Sequence, residues 1–254
     1  MNKNELDELF KSGSADIWSY NFQERKDWQI AANWLLKNKI SGRILDIGCW
    51  DGEFLSALPT TISPYGIEIN LLAAKKALSK KINIIKDNIS ALDEIPIKFD
   101  MVTAFDIIEH VENPYNFIAS LCRIAKDNSY IIVASGDTEA TSWKISKSRY
   151  WYCANPEHMS FINIAWCEYV ANKLNLQIVH TEIYSHTKKR TMPKYILEII
   201  KNMTYLISPH LFGNLRNLKR QSHHQKNLGQ LRNYPPSWMT SRDHLIIIFK
   251  KVDK

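Results

Sequence analysis

The strongest constraint on the fold is a regular alternation of apolar and amphipathic stretches between residues 42 and 136. Five apolar runs have the length of β-strands, and amphipathic stretches such as "NLLAAKKALSK" and "NPYNFIASLCRIA" lie between them; the runs are "GRILDIGC", "SPYGIEI", "INIIKDNI", "FDMVTAFDII" and "SYIIVASG". Strands that alternate with helices of about ten residues form parallel βαβ units with right-handed crossovers. The sequence therefore predicts an α/β fold with a doubly wound, Rossmann-like sheet.

The rest of the chain suggests additions to this sheet. Ahead of it, "QERKDWQIAANWLLKNK" has helical periodicity, and behind it come a helix, a strand, a basic stretch and the apolar run "LIIIF". We predict an N-terminal helical cap over 1–40, a main domain over 41–186 plus 243–254, and a basic helical insertion over 187–242. With 254 residues and 45% hydrophobic content, the chain has enough apolar mass for one sizeable core.

The N-terminus and the cysteines favour a cytoplasmic location. The first residues, "MNKNELDELFKSGSADIW", contain no apolar segment, so we expect no secretory signal. The four cysteines form no CxxC pair and have no zinc-like spacing, which is typical of reduced thiols.

The loop after the first strand indicates the ligand class. In open α/β sheets, ligands bind at the carboxyl ends of the strands where the strand order reverses. A dinucleotide site needs the pattern G-x-G-x-x-G, but here the run is Gly48, Cys49, Trp50, Asp51, Gly52. Trp50 would obstruct a diphosphate and Asp51 would repel it. A phosphate-free cationic nucleoside, S-adenosylmethionine, meets neither objection, and Asp46 offers a counter-charge.

Acidic and polar residues at the next strand ends agree with this ligand. Glu68 lies 20 positions after Gly48, where a carboxylate can accept hydrogen bonds from both ribose hydroxyls. Asp87 could accept from the adenine amino group, and the backbone N–H of Asn88 could contact the ring. Phe105 ends the fourth strand and is expected to face the same crevice.

These motifs, in this order, resemble the class I S-adenosylmethionine-dependent methyltransferases, and "EHV…P" at residues 109–114 resembles their ubiquinone-biosynthesis-like small-molecule subgroup. The resemblance covers residues 43–183 plus the final strand and departs from the family at Trp50, where many members have glycine. It implies a seven-stranded sheet whose last strand is antiparallel. It also implies S-adenosylmethionine as cofactor, with contacts at the residues Asp46, Gly48, Glu68, Asp87 and Phe105; we add Cys49, Gly52 and Asn88 from the loops.

Two histidines are candidates for the catalytic base. A hydroxyl acceptor must lose a proton, and imidazole, with an ordinary pKa near ~6.5, suits that role. We predict His158 as the base and His110 as the second candidate. The aromatic stretch containing Tyr150, Trp151 and Tyr152 is predicted to cover the acceptor; the alternative is a hydrophobic plug under the sheet.

A metal site is not predicted. Asp106, Glu109 and His110 form the pattern acid-x-x-Glu-His, which some ubiquinone-type relatives use for a divalent ion. The same pattern is common where no metal binds, and three neighbouring hard ligands do not define a site.

The basic stretch bears on the acceptor. Residues 187–242 contain 11 Lys and Arg against one acid, a net charge of +10 in a chain of +7, so the remainder carries −3. Ile196, Ile200, Met203 and Ile207 share one helical face, which predicts either packing on the body or contact with a membrane surface. With the aromatic stretch, this favours O-methylation of a sugar or polysaccharide on a lipid carrier, at the inner face of the membrane.

Several alternatives stay open. The acceptor could instead be a quinone-like or polyketide-like small molecule, or RNA, although exposed aromatics interleaved with basic residues are few and nucleic acid is not expected. A nicotinamide-dependent oxidoreductase and a non-catalytic binding protein are the remaining rivals.

Overall fold

The computed structural model describes residues 21–185, 191–219, 235–238 and 240–253, and its centre is a seven-stranded sheet. The strands are β1 (Gly42–Ile47), β2 (Ile62–Ile67), β3 (Asn83–Lys86), β4 (Phe99–Phe105), β5 (Ala125–Gly136), β6 (Leu176–Tyr184) and β7 (His244–Lys251). Their order is β3-β2-β1-β4-β5-β7-β6. Strands β1 to β5 run parallel, and β7 is antiparallel to both of its neighbours. The predicted sheet, with its antiparallel last strand, is confirmed.

Helices flank this sheet on both faces. The α-helices of the described residues are α1 (Lys26–Lys37), α2 (Glu53–Ser56), α3 (Leu71–Ser79), α4 (Pro114–Ile124), α5 (Thr141–Ser146), α6 (Ile164–Leu174), α7 (Met192–Ile207) and α8 (Pro209–Lys219). Asn70 caps α3 as predicted, and its side chain accepts hydrogen bonds from the N–H groups of Leu72 and Ala73. Helix α4 begins at Pro114, as expected for a proline in the first turn.

The core lies on both faces of the sheet. In β7, Leu245, Ile247 and Phe249 pack in the cluster that includes α4 and α6. The alternating Ile246 and Ile248 pack in the cluster on the other face, which includes α1. An apolar run without polar alternation is typical of a strand covered on both sides, which explains why "LIIIF" reads as continuous.

The regions outside the sheet match the sequence only in part. Helix α1 lies within the predicted N-terminal cap, while residues 1–20 are outside the described residues. Helices α7 and α8 lie within the predicted basic insertion, and residues 187–190, 220–234 and 239 of that insertion are likewise outside the description. The predicted apolar face of α7 is mostly exposed: Ile196 is 49%, Ile200 56% and Ile207 83% accessible to solvent. The domain boundaries themselves remain predictions.

Candidate active site

The residues predicted from the strand ends lie along one edge of the sheet. They follow β3, β2, β1 and β4, which are adjacent in that order. Backbone hydrogen bonds join these ends: the N–H of Gly48 donates to the carbonyl of Ile67 (2.9 Å), and the N–H of Glu68 donates to that of Lys86 (3.3 Å). The order of strands reverses between β1 and β4, so this edge contains the crevice where ligands of such sheets bind.

The loop after β1 has left-handed backbone at three positions. Gly48, Trp50 and Gly52 have φ values of 71°, 50° and 74°. A Cβ on Gly48 would collide with the Ile107 side chain, so glycine is required there. Trp50 occupies a conformation that non-glycine residues rarely adopt, at a cost of about 1–2 kcal/mol. Cys49 is buried, and its N–H also donates to Ile67 (3.1 Å).

Glu68 is held by backbone N–H groups. It is 4% exposed; its Oε2 accepts from the N–H of Trp50 (2.8 Å), and its Oε1 accepts from the N–H of Asn70 (2.7 Å). Burial raises the pKa of the Glu68 carboxyl, and these two donors act in the opposite direction. Each carboxylate oxygen has two lone pairs, so the group retains acceptor capacity for hydroxyl donors.

Asp46 is a buried carboxyl beside a threonine. Thr103 is its cross-strand partner in β4, and the Thr103 hydroxyl donates to Oδ1 of Asp46 (2.6 Å). Burial raises the pKa of Asp46 to about 7, against the opposing effect of the Thr103 hydrogen bond. A cationic ligand near this group would favour its charged form. The sequence contained a signal for Thr103, a polar residue within the apolar run "FDMVTAF".

The remaining predicted cofactor residues have mixed environments. Asp87 and Asn88 follow β3, and the Asn88 side chain caps the short helical turn at 89–94 by accepting from the N–H of Ser90 (2.8 Å). Phe105 is 7% exposed, and its ring packs edge-on against Phe54 with centroids 4.9 Å apart. The Phe105 side chain belongs to the core on the α1 face, and its contact with a cofactor stays a prediction.

An arginine from the start of α1 reaches the end of β4. The guanidinium of Arg25 binds the carboxylate of Asp27 through two nitrogens, and its Nη2 donates to Oδ2 of Asp106 (2.8 Å). Arg25 and Asp27 are buried, at 8% and 0% exposure. Asp106 itself has a left-handed φ of 53°. Sequence reasoning missed this network, since nothing local in "QERKDW" points to a residue 81 positions away.

The two histidines predicted as bases lie together. Their ring centroids are 5.0 Å apart in an edge-on arrangement. Nδ1 of His110 lies 3.0 Å from the carbonyl of Glu157, and Nδ1 of His158 lies 2.8 Å from that of Tyr152. A carbonyl accepts only, so both Nδ1 atoms carry hydrogen and both lone pairs are on Nε2.

The electrostatic environment keeps both imidazoles neutral. Burial lowers the pKa of His158 to about 4, and the neighbouring His110 adds to this effect. Burial also lowers the pKa of His110. Nε2 of His158 lies 3.2 Å from the side-chain nitrogen of Asn155, which engages its lone pair. The assignment of His158 as the base, with His110 as the second candidate, stays a prediction.

Glu109 completes a cluster of possible metal ligands. It is 1% exposed and accepts hydrogen bonds from the hydroxyls of Ser135 (2.9 Å) and Tyr152. Burial raises its pKa, and the nearby Asp106 charge adds to the rise. One ligand atom each from Glu109, His110 and His158 lie within 4.8 Å of one another. Two neutral imidazoles and a carboxylate could hold a divalent cation such as zinc.

The aromatic stretch forms a packed cluster. Tyr150 and Tyr152 are 1% and 4% exposed and pack with Trp143 and Trp238. The hydroxyl of Tyr150 donates to Asp243. Tyr150 and Tyr152 are therefore packed as the alternative of a hydrophobic plug describes, and their contact with an acceptor stays a prediction. Trp151 is half-buried at the edge of the cluster.

Comparison with known proteins identifies the family. A model of the methyltransferase domain matches residues 20–181. The mitochondrial ubiquinone biosynthesis O-methyltransferase of Schizosaccharomyces pombe is 32% identical over 114 residues, covering 39% of this chain and 40% of that protein. The Candida albicans protein of the same name is 26% identical over 157 residues, covering 56% and 48%. The chain thus spans less than half the length of these relatives.

Solved structures show the same fold. Magnesium protoporphyrin IX methyltransferase from Synechocystis, determined with bound S-adenosylhomocysteine, has a TM-score of 0.60 at 14% identity, covering 98% of this chain and all of that one. A sarcosine dimethylglycine methyltransferase from Galdieria sulphuraria, described as putative, has a TM-score of 0.60 at 13% identity, covering 91% and 86%. The chain belongs to the methyltransferase domain family, and its fold is that of the class I S-adenosylmethionine-dependent methyltransferases.

Proposed function

We propose that this chain binds S-adenosylmethionine and transfers its methyl group to a hydroxyl group of a small-molecule acceptor. The observation that carries the proposal is the Glu68 carboxylate, fixed at the end of β2 by the N–H groups of Trp50 and Asn70. A carboxylate held in this way is a rigid acceptor for the two hydroxyls of a ribose. Membership of the methyltransferase domain family supports the assignment.

The buried Asp46 fits a cationic cofactor. Its pKa of about 7 reflects the cost of keeping a charge away from water. A sulfonium and an ammonium group near the end of β1 would offset that cost by favouring the carboxylate. The loop between Gly48 and Gly52, in contrast, has Trp50 where a diphosphate-binding loop has glycine, which disfavours a nicotinamide dinucleotide.

The proposed chemistry needs one base. When bound, S-adenosylmethionine supplies an electrophilic methyl group on its sulfonium. With the cofactor bound, the chain would align the acceptor with that group, and Nε2 of His110 would receive the hydroxyl proton as the oxygen–carbon bond forms and the sulfonium's sulfur–carbon bond breaks. His158 and its contact with the Tyr152 carbonyl keep the neighbouring ring in a fixed orientation. A buried, neutral pair avoids placing a positive charge beside the cationic cofactor.

For the acceptor, we propose a phenolic, quinone-like hydroxyl rather than the sugar or polysaccharide expected from the sequence. The matched relatives are named ubiquinone biosynthesis O-methyltransferases. The sugar assignment depended on exposed aromatic faces, and two of its three aromatics are buried in the cluster around Trp143. A membrane-borne acceptor is compatible with the exposed apolar side chains of α7, although no helix among the described residues is long and apolar enough to cross a bilayer.

Calorimetry followed by an acceptor screen tests the proposal. Titration with S-adenosylmethionine should show one site, while NADH and NADPH should show none. The screen then measures S-adenosylhomocysteine release with polyhydroxylated benzoates, nucleotide sugars and transfer RNA. Turnover on the phenols alone would support the assignment. Turnover on the sugars or RNA alone would overturn the acceptor, and absence of cofactor binding would overturn the function and favour a non-catalytic protein.

A further inference from the structure

Helix α7 buries two polar side chains, Glu198 and Asn202, and exposes several large apolar ones. Its buried residues are Glu198, Asn202 and Tyr205. Its exposed large hydrophobic residues include Met192, at 66%, and the side chains Tyr195, Ile196, Leu197, Ile200 and Ile207. A helix that packs all of its large apolar residues on a protein core would leave none of these side chains exposed.

The inward face of α7 is fixed by specific contacts. Oε2 of Glu198 accepts from both the N–H (2.8 Å) and the hydroxyl (2.6 Å) of Thr240, and Asn202 donates to the Glu198 carbonyl (2.9 Å). Ile199 and Met203 pack against the aromatic cluster. The outward direction of Ile196 and Ile200 therefore follows from the way the helix is anchored.

The next helix also exposes large apolar side chains. On α8, Leu211 and Leu215 are 50% and 48% exposed. We call the exposed apolar residues of α7 and α8 the outer face. An exposed apolar surface that extends over two helices is typical of an interaction site, whereas scattered single residues are not.

Charge identifies the occupant of the outer face. The only acid among residues 187–242 is Glu198, and it is buried, so the 11 Lys and Arg of this segment have no exposed acid within it. Lys194 and Lys201 lie on α7 itself and are exposed. A second copy of the chain would bring the same two exposed lysines, Lys194 and Lys201, to this face. Nucleic acid would leave the exposed isoleucines in water.

We propose that the outer face of α7 and α8 docks on an anionic lipid bilayer, with its isoleucines and leucines in the interface and its lysines on lipid phosphates. An amphipathic basic helix of this kind lies in the plane of the interface without crossing the membrane. This docking does not depend on the proposed reaction. If both hold, the docking also gives the surface from which the acceptor reaches the enzyme.

The helix also connects this surface to the candidate active site. Nη1 of Arg149 donates to the carbonyl of Leu206 near the end of α7 (3.0 Å). The aromatic cluster against which α7 packs contains Tyr152, whose ring lies 4.1 Å from that of His158 and whose hydroxyl binds Glu109. The aromatic cluster therefore contacts both α7, through Ile199 and Met203, and the histidine pair, through Tyr152.

Vesicle flotation of the full chain tests the docking. We expect binding to vesicles of phosphatidylglycerol and phosphatidylcholine in equal parts, and at least tenfold weaker binding to phosphatidylcholine alone. Ile196→Gln/Ile200→Gln removes apolar contact without changing charge and should weaken binding on the order of tenfold. Lys201→Gln should weaken it about fivefold. The matched control is Leu36→Gln/Leu78→Gln, two leucines exposed on α1 and α3, which should bind like the wild type.

Three outcomes would overturn the inference. The first is a wild-type chain that does not float with anionic vesicles. The second is equal vesicle binding by the α7 variant and the control. The third is a wild-type chain that is a dimer in light scattering while the α7 variant is a monomer. The last result would assign the outer face to a second copy. S-adenosylmethionine titration of the same variants separates this inference from the proposed function, because cofactor affinity should be unchanged in all of them.

Discussion

The N–H of Trp50 donates a 2.8 Å hydrogen bond to Oε2 of Glu68, and this contact joins the loop after β1 to the end of β2. It exists because Trp50 has a left-handed backbone, which turns its N–H towards the neighbouring strand. Asn70 binds the other oxygen of the same carboxylate. The loop and the ribose-binding candidate are therefore one unit, in which a change to either residue affects the other.

Replacing Glu68 with glutamine should weaken cofactor binding and the loop together. The amide has one accepting oxygen, so it can satisfy either Trp50 or Asn70, and its NH₂ faces the other donor. We expect Glu68→Gln to raise the Kd for S-adenosylmethionine on the order of tenfold to a hundredfold, and to lower the free energy of unfolding by about 1–3 kcal/mol. Calorimetry and urea unfolding measure the two effects.

The control for Glu68 is the exposed acid Glu112, whose Glu112→Gln variant changes the same charge away from the loop. Unchanged cofactor affinity in Glu68→Gln, with normal affinity in the control, would show that the ribose hydroxyls have another partner.

Asp46 should make cofactor binding depend on pH. Its pKa in the folded chain is about 7, and the cationic cofactor favours the carboxylate, so affinity should rise as pH increases through 7. The ionised fraction grows about tenfold between pH 6 and pH 8, so the Kd should fall by about that factor. Asp46→Asn should bind weakly, with no such change. Glu109→Gln, which alters another buried acid, should keep the wild-type profile.

Asp46 should also make the stability of the cofactor-free chain depend on pH, but here the free energy of unfolding should fall as pH rises. Because the folded-state pKa of Asp46 lies above its unfolded value, ionisation costs stability as pH rises through the folded pKa. Without cofactor, Asp46→Asn should therefore be more stable than the wild type at pH 8, and the difference should shrink at pH 5. Thermal unfolding at the two pH values checks this, and a variant that is less stable at pH 8 would contradict it.

The sheet was predictable because its determinants are local in sequence. Five consecutive apolar residues predict strand β7. Asn70 predicts the start of α3, because asparagine is a common N-cap residue and it directly precedes the helical pattern. Strand-end motifs then place Asp46 and Glu68 on one edge, since parallel strands end on the same side. Each of these inferences needs only neighbouring residues and the general rules of parallel sheets.

The contacts that the sequence did not reveal join distant residues. Arg25 meets Asp106 across 81 positions, and Glu198 meets Thr240 across 42. The contact between Glu198 and Thr240 decides which face of α7 turns inward. The apolar periodicity of the sequence therefore identified an apolar helix face but not whether that face is buried or exposed. His158 was found by type, but its proximity to His110 depends on the course of the chain between them.

Substitution of the two histidines should separate their roles. Because Nε2 of His110 carries the lone pair and Asn155 engages that of His158, His110→Gln should lower kcat by about 10²–10⁴-fold, and His158→Gln by less. The Kd for S-adenosylmethionine should stay the same in both. The pKa values of both histidines are lowered, so the wild-type kcat should persist to lower pH than an ordinary imidazole base would allow.

A chelator distinguishes base catalysis from metal catalysis at the same cluster. We expect kcat to be unaffected by EDTA, in keeping with the prediction that no metal is needed. Loss of activity on chelation, restored by zinc or magnesium, would contradict that prediction. It would assign a bound cation to Glu109, His110 and His158, whose ligand atoms lie within 4.8 Å of one another.

Arg25 should make a large contribution to the free energy of unfolding, because it neutralises a fully buried acid at the start of the N-terminal helix. Asp27 has no exposure, and the Arg25 guanidinium binds both of its oxygens. Arg25→Met leaves that carboxylate buried without its cation, which costs about 3–5 kcal/mol in comparable cases. Urea unfolding should therefore show a large loss of stability in this variant.

The double variant Arg25→Met/Asp27→Asn removes the charge as well as its partner. It should recover more than half of the loss, because a buried pair replaced as a whole is far less damaging than a pair that is broken. If the double variant is as unstable as Arg25→Met, the contact between Arg25 and Asp106 at the end of β4 is the more important of the two. In that case Asp106→Asn alone should reproduce most of the loss, and α1 is held to the candidate active site rather than merely stabilised within itself.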